Sequence, residues 1–323
     1  MHTDAAILSR HFDLEVIVHN RGKKRLAASV LNELLGRRPH IMLMWFIVPS
    51  YALALTLLGR LLRVKVAFIT GGYDIAGMPE IGFGALRYPL FRRLLGPTVR
   101  LADLVLPFSR SADEQLRRYA RPARSVVVYP GIDTDFFTPA PDRHAERERV
   151  ALTVSPVTHS SILQKGLKTF VEAARHAPDV QFVLVGRSPD GSISALRGTA
   201  GANVRFEERF VPAEELRDLY RRAACYVQVS LHEGFGIAVA EAMACGAVPV
   251  VTGVFSLPEV TGGLGEYVPA NDPAATARAV LRSLDASGER RAQLRQHVMT
   301  NFTVERRERE LVGALYSLLS RPA

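Results

Sequence analysis

The sequence predicts an α/β protein built from two Rossmann-like, doubly wound domains facing across a cleft. Three observations predict it. Short runs rich in β-branched and aromatic residues alternate with helical patterns along the whole chain. A polar, proline-containing, charge-rich stretch at 139–149 divides the chain into two similar halves. The length of 323 residues suits two domains of ordinary size, and 48% hydrophobic with 23% charged residues lets each bury a core.

The elements follow in order. The chain opens on a helical pattern, and a strand is expected at 14–19 (L-E-V-I-V-H). Further strands are expected at 41–48, 64–70, 104–108 and 125–129, with helices between them. Residues 41–59 hold 19 positions without a charge, long enough to raise the question of a membrane span. Pro49, Ser50 and Tyr51 interrupt that run, so it reads as a strand, a turn and a helix to about residue 62. In the second half strands are expected at 150–155, 180–185, 204–206, 224–229 and 248–252. The domains are set at 1–140 and 150–302, with a last helix at 303–323 packing back toward the first domain.

Composition narrows the function classes. Cys225 and Cys245 lie in apolar runs and form no disulfide framework, which suits a reducing cytoplasm. The first ten residues lack the basic start and apolar core of a secretory signal. Residues 1–140 carry 19 Lys and Arg against 11 Asp and Glu, whereas residues 141–323 carry 22 against 21. The first half is therefore basic. Residues 83–100 mix aromatic and aliphatic residues with arginines, a composition that fits either an anionic membrane surface or an ordinary amphipathic helix. The expected location is cytoplasmic, extending to a peripheral position at the inner membrane face. No nucleic-acid-binding motif accompanies the charge.

Residues 230–252 read S-L-H-E-G-F-G-I-A-V-A-E-A-M-A-C-G-A-V-P-V-V-T and form the most informative stretch. A strand, a loop with two glycines, a helix over 237–245 and a further strand are expected, with Gly246 ending the helix. Such units bind ligands at the carboxyl ends of their strands. Gly234 and Gly236 let a ligand approach the backbone, and the N–H groups of Phe235, Gly236 and Ile237 stand at the positive end of the helix dipole. The helix is apolar all round and so is expected to be buried, yet it carries Glu241. A buried carboxylate needs a partner, either a protein cation or a polar ligand.

The segment E-G-F-G-I-A-V-A-E, from Glu233 to Glu241, followed by A-M-A-C-G and V-P-V-V, resembles the signature of retaining GT-B glycosyltransferases of the family 4 type, the glycosyl transferases group 1. Y-P-G-I-D-T-D-F-F-T-P at 129–139, Ser109, Q-K-G-L-K at 164–168, Glu259 and Asp272 extend the similarity over most of the chain beyond residue 39. The resemblance implies that Glu233 contacts the transferred sugar, that Glu241 holds the nucleotide ribose, and that Gly234, Phe235, Gly236 and Ile237 lie along the sugar and diphosphate. It implies that Lys165 reaches the diphosphate, whose charge grows as the glycosidic bond breaks. Phe210 and Val211 are expected near the base. Gly71, Gly72, Tyr73 and Asp74 follow a strand's carboxyl end and are assigned to the acceptor side. There Asp74 either orients the acceptor hydroxyl or makes an Asx-type turn. His232 either lines the sugar pocket or is a loop histidine without a role.

The expected reaction moves a hexose-type sugar from a nucleotide-diphosphate donor to a glycan or lipid-linked acceptor hydroxyl with retention. It uses no metal and no cofactor beyond the donor itself. Two departures from the family pattern stand out. Residues 155–165 (S-P-V-T-H-S-S-I-L-Q-K) lack the usual phosphate-binding arginine, leaving Thr158, His159, Ser160 or Arg187 as substitutes. The first strand of the N-terminal domain is expected to be missing from the chain as written. A nucleotide-sugar epimerase of the same fold and a degenerate sugar- or lipid-binding protein stay open as alternatives.

Overall fold

The computed structural model describes residues 2–18, 23–140 and 147–320. The chain divides into two compact units. One comprises Met1–Pro79, Gly84–Gly131 and Glu305–Ala323, and the other Glu80–Phe83 and Ile132–Val304.

The first unit is built on a parallel sheet of β1 (Ile41–Trp45), β2 (Lys65–Thr70) and β3 (Leu104–Pro107), in that spatial order. β2 lies in the middle and is buried at every position after Lys65, with an apolar run at 66–69, as suits a strand covered on both faces. The uncharged run splits as expected into β1 and the Pro49–Leu61 helix. Among the described residues no helix is long and apolar enough to cross a membrane. Leu8 of the first helix and Leu311, Leu315 and Leu318 of the last (Val304–Leu319) share one core cluster with β2 and β3. Arg307 fastens the same elements. Only 4% exposed, it grips Asp4 with two nitrogens, one of them at 2.6 Å, and donates to the Val128 and Tyr129 carbonyls at 3.1 and 2.7 Å.

Two expected strands of this unit are not found. Residues 14–18 form no strand. Phe12 and Leu14 pack onto the core, but Val16, Ile17 and Val18 stay exposed, and an apolar run without a neighbouring ladder fixes no strand. His19, the end of that expected strand, and 141–146 of the expected linker lie outside the described residues. Residues 125–129 run beside β3 through one bridge, Val105 to Ser125, and one further hydrogen bond, from the Val128 N–H to the Pro107 carbonyl. Pro107 has no N–H to return, so the ladder does not extend into a strand.

The second unit holds a six-stranded, wholly parallel sheet. Its strands are β4 (Glu148–Val154), β5 (Gln181–Val185), β6 (Val204–Glu207), β7 (Ala223–Gln228), β8 (Val248–Thr252) and β9 (Glu266–Val268). β9, at the sheet edge, was not expected from sequence, being three residues long between glycine and proline. The spatial order is β6-β5-β4-β7-β8-β9. From β4 the chain winds outward through β5 and β6, then returns to β7 and winds the other way. The carboxyl ends of β4 and β7 therefore flank the switch point, where open α/β sheets hold their ligands.

Candidate active site

The two loops leaving β4 and β7 are fastened together at this switch point. After β4 a short helix, His159–Gln164, ends at Lys165, and Gly166 begins the Leu167–Ala173 helix. Gly166 has φ +67°, and a Cβ there would lie 2.2 Å from the Val229 carbonyl oxygen, so only glycine lets this turn approach the end of β7. The Leu231 N–H donates to the Gln164 carbonyl at 2.8 Å, and the Gln164 side chain donates to the His232 carbonyl at 2.7 Å.

This fastening brings Lys165 and Glu233 together, 68 residues apart in sequence. The Lys165 ammonium lies 2.5 Å from Glu233 Oε2. The Gln228 amide, the last residue of β7, donates to the same oxygen, and the Gly234 N–H donates to Oε1 at 3.1 Å. Gln228 was not expected in the site. It is an amide at the end of a fully buried strand, and that is the signal that could have pointed to it. Ser256, on the loop after β8, is a second missed residue. Its hydroxyl donates to the Glu233 and Phe235 carbonyls at 2.9 and 3.0 Å and so braces the glycine loop from behind.

Gly236, at φ +102°, begins the Ile237–Ala244 helix, one residue shorter than expected. The helix is not buried all round. Ile237 is exposed, and Ala238 and Glu241 are half-buried along the same side, so one face stays open. Glu241 faces no cation among the described residues. Its one polar partner is the buried Tyr220 hydroxyl, which donates at 3.2 Å. Burial pushes the Glu241 carboxyl up to about 7, with the Tyr220 bond pulling slightly the other way. A carboxylate held on an open face without a counter-ion is poised to accept hydroxyl hydrogen bonds from a ligand.

That position carries a stability cost with a definite pH dependence. Because the folded-state pKa lies above the ordinary 4.5, the stabilising form is the protonated one. Stability from this group is complete below about pH 4.5 and is lost as pH rises through about 7. Glu241→Gln is therefore expected to unfold at a higher temperature than the wild type at pH 8. The gain, discounted for partial exposure, is about 1–2 kcal/mol and shrinks to nothing near pH 4.5. Thermal denaturation at the two pH values checks this, and an equal or lower Tm at pH 8 would contradict it.

His232 is 2% exposed, and burial lowers its pKa to about 4, so its ring is neutral at physiological pH. It packs against Phe255 and Phe83, with ring centroids at 4.3 and 5.3 Å. Phe210 is exposed beneath Arg187, whose guanidinium carbon stands 5.1 Å from the ring centroid, and Val211 is half-buried next to it. Of the expected substitutes for the missing arginine, Thr158 and Ser160 are drawn into the start of the short helix, Thr158 as its cap. The His159 N–H donates to Asp190.

In the first unit, Gly71–Asp74 form a tight turn after β2. Asp74 is 3% exposed and accepts from the Thr70 hydroxyl and from the N–H groups of Ile47, Gly72 and Gly71. This is the Asx-type arrangement, with the carboxylate spent on its own loop. Burial raises its pKa despite those donors. Tyr73 is 48% exposed. Ser109 caps the Arg110–Tyr119 helix.

Comparison with known proteins shows what the chain is similar to. The family model for glycosyl transferases group 1 matches residues 148–286. The chain is 31% identical over 215 residues to a D-inositol 3-phosphate glycosyltransferase of Streptomyces scabiei, covering 58% of this chain and 48% of that protein. It is 34% identical over 200 residues to an alpha-maltose-1-phosphate synthase of Mycolicibacterium smegmatis, covering 54% of this chain and 51% of that protein. The chain thus spans about half the length of these relatives. In fold it is similar to the sucrose-phosphate synthase of Thermosynechococcus elongatus, with a TM-score of 0.77 at 21% identity over 95% of this chain and 81% of that one. It is also similar to Anabaena HepE in complex with UDP and glucose, with a TM-score of 0.74 at 17% identity over 97% and 89% of the two chains. The fold class is GT-B, two parallel-sheet α/β units.

Proposed function

We propose, from the premise that residues 148–286 belong to the glycosyl transferases group 1 family, that this protein moves a sugar from a nucleoside diphosphate to an acceptor hydroxyl with retention of configuration. One observation carries the reading. A lysine and a glutamate meet at the switch point of the second unit's sheet, beside a helix whose open face bears a carboxylate with no cation against it among the described residues. Lys165 neutralises the diphosphate as its bond to the sugar breaks, Glu233 orients the sugar, and Glu241 accepts the ribose hydroxyls. Gly234–Ile237 lie along the sugar and diphosphate, and Phe210 and Val211 form the base wall. The acceptor oxygen attacks the anomeric carbon on the face the phosphate leaves, and the departing phosphate oxygen takes the acceptor's proton. Tyr73, half in solvent, faces the acceptor, with Asp74 holding that loop in shape. The acceptor is a glycan or a lipid-linked sugar, and the basic first unit lets the protein work at an anionic membrane surface.

Incubation with UDP-, GDP- and ADP-sugars and a panel of hydroxyl acceptors tests this, with products followed by NMR. The expected product keeps the donor's anomeric configuration. An isomerised sugar nucleotide formed without acceptor would identify an epimerase instead. Nucleotide binding with no turnover on any acceptor would identify a binding protein.

A further inference from the structure

We propose that the first unit docks onto anionic phospholipid bilayers through the outer faces of two helices, Lys23–Gly36 and Pro49–Leu61. This gives the membrane part of the reading above a surface, and it stands apart from the transfer chemistry.

The two helices share a small core through Val30 and Leu34 on one side and Leu55, Leu58 and Leu62 on the other. Beside that core each helix leaves a pair of leucines in solvent, four residues apart. Leu31 and Leu35 are 43% and 55% exposed, and Leu57 and Leu61 are 51% and 79% exposed. Single exposed leucines are ordinary, but two i,i+4 pairs on helices that share a core leave four leucines in solvent for an apolar partner.

The charge around these leucines selects the partner. Residues 29–73 hold five Lys and Arg, two at 37–38 and three at 60–65, against one acidic residue, Glu33. Arg38, Arg60 and Arg63 are exposed and have no carboxylate partner among the described residues. A second copy of the chain seated on this face would bring the same excess of cations against itself. An anionic bilayer meets both features, taking leucines into the acyl boundary and arginines against headgroup phosphates.

A separate observation points the same way. Arg38 and Arg63, which follow the two helices, have φ of 49° and 58°. That left-handed conformation at a helix end favours glycine, and a long side chain there is strained. Arginine occupies both positions, at a conformational cost that glycine would avoid.

Sedimentation with vesicles of phosphatidylcholine, alone or with one-third phosphatidylglycerol, tests the proposal. The wild type is expected to bind only the mixed vesicles and to be released by high salt. Leu57→Ser with Leu61→Ser is expected to lower binding at least tenfold. Arg38→Gly with Arg63→Gly suits the local backbone and so keeps the fold, yet it is expected to lower binding about fivefold per charge removed. Transfer to a water-soluble acceptor is expected to be unchanged in both variants, which separates this surface from the active site. No wild-type binding to mixed vesicles, or undiminished binding by the arginine variant, would overturn the proposal. So would a wild-type dimer that the leucine variant splits without loss of vesicle binding, because a second copy would then be the occupant.

Discussion

Lys165→Ala is expected to reduce kcat/KM for sugar transfer by about 10²–10³, the loss typical of removing one preorganised charge stabiliser, ~2.7–4 kcal/mol. The Lys165 ammonium is 2.5 Å from Glu233 Oε2, and the two side chains are 27% and 12% exposed. A diphosphate entering there offers the lysine a stronger partner, and the lysine's charge becomes most useful as the leaving group forms. The substitution leaves Glu233 held by Gln228 and by the Gly234 N–H, so the loop keeps its shape and Tm stays near the wild-type value. Steady-state kinetics with the donor found to be active, alongside thermal denaturation, check both halves. Activity within threefold of the wild type would remove Lys165 from the mechanism.

The largest effect on stability is expected in the first unit. Arg307→Ala should destabilise it by about 3–5 kcal/mol, because it strands a buried carboxylate. Asp4 is 4% exposed, and its other donor is the Trp45 indole at 3.0 Å. The Val128 and Tyr129 carbonyls lose their donor as well. Asp4→Leu combined with Arg307→Met should recover much of the loss, since replacing both partners of a buried pair by apolar groups is often neutral. Urea denaturation of the three variants measures this. A cost below about 1 kcal/mol for Arg307→Ala would mean that water reaches the pair.

The parts of the fold legible in sequence were those encoded over a few neighbouring residues. Val248–Thr252 matched to the residue, and the other strands of the second sheet's centre matched within two, because each is a buried apolar run between turn residues. The glycine loop before Ile237 was legible because positive φ restricts the residue type. What sequence hid were relations across distance. Asp4 and Arg307 lie 303 positions apart, and neither neighbourhood announces the other. Gln228 looked like an ordinary strand residue until β7 proved buried on both faces. The open face of the Ile237–Ala244 helix was hidden for the opposite reason: its small apolar residues look alike whether they meet protein or a ligand. The expected strand at 14–19 failed because Val16, Ile17 and Val18 have no sheet to join and stay exposed.

The central claim is that the Lys165–Glu233–Glu241 grouping grips a sugar joined to a nucleotide. Calorimetric titration of UDP-glucose and its GDP and ADP counterparts into the wild type, Lys165→Ala and Glu241→Ala measures it most directly. The wild type is expected to bind at least one donor saturably, and each variant at least tenfold more weakly. Binding of equal strength in all three proteins, or no heat from any nucleotide sugar, would contradict it.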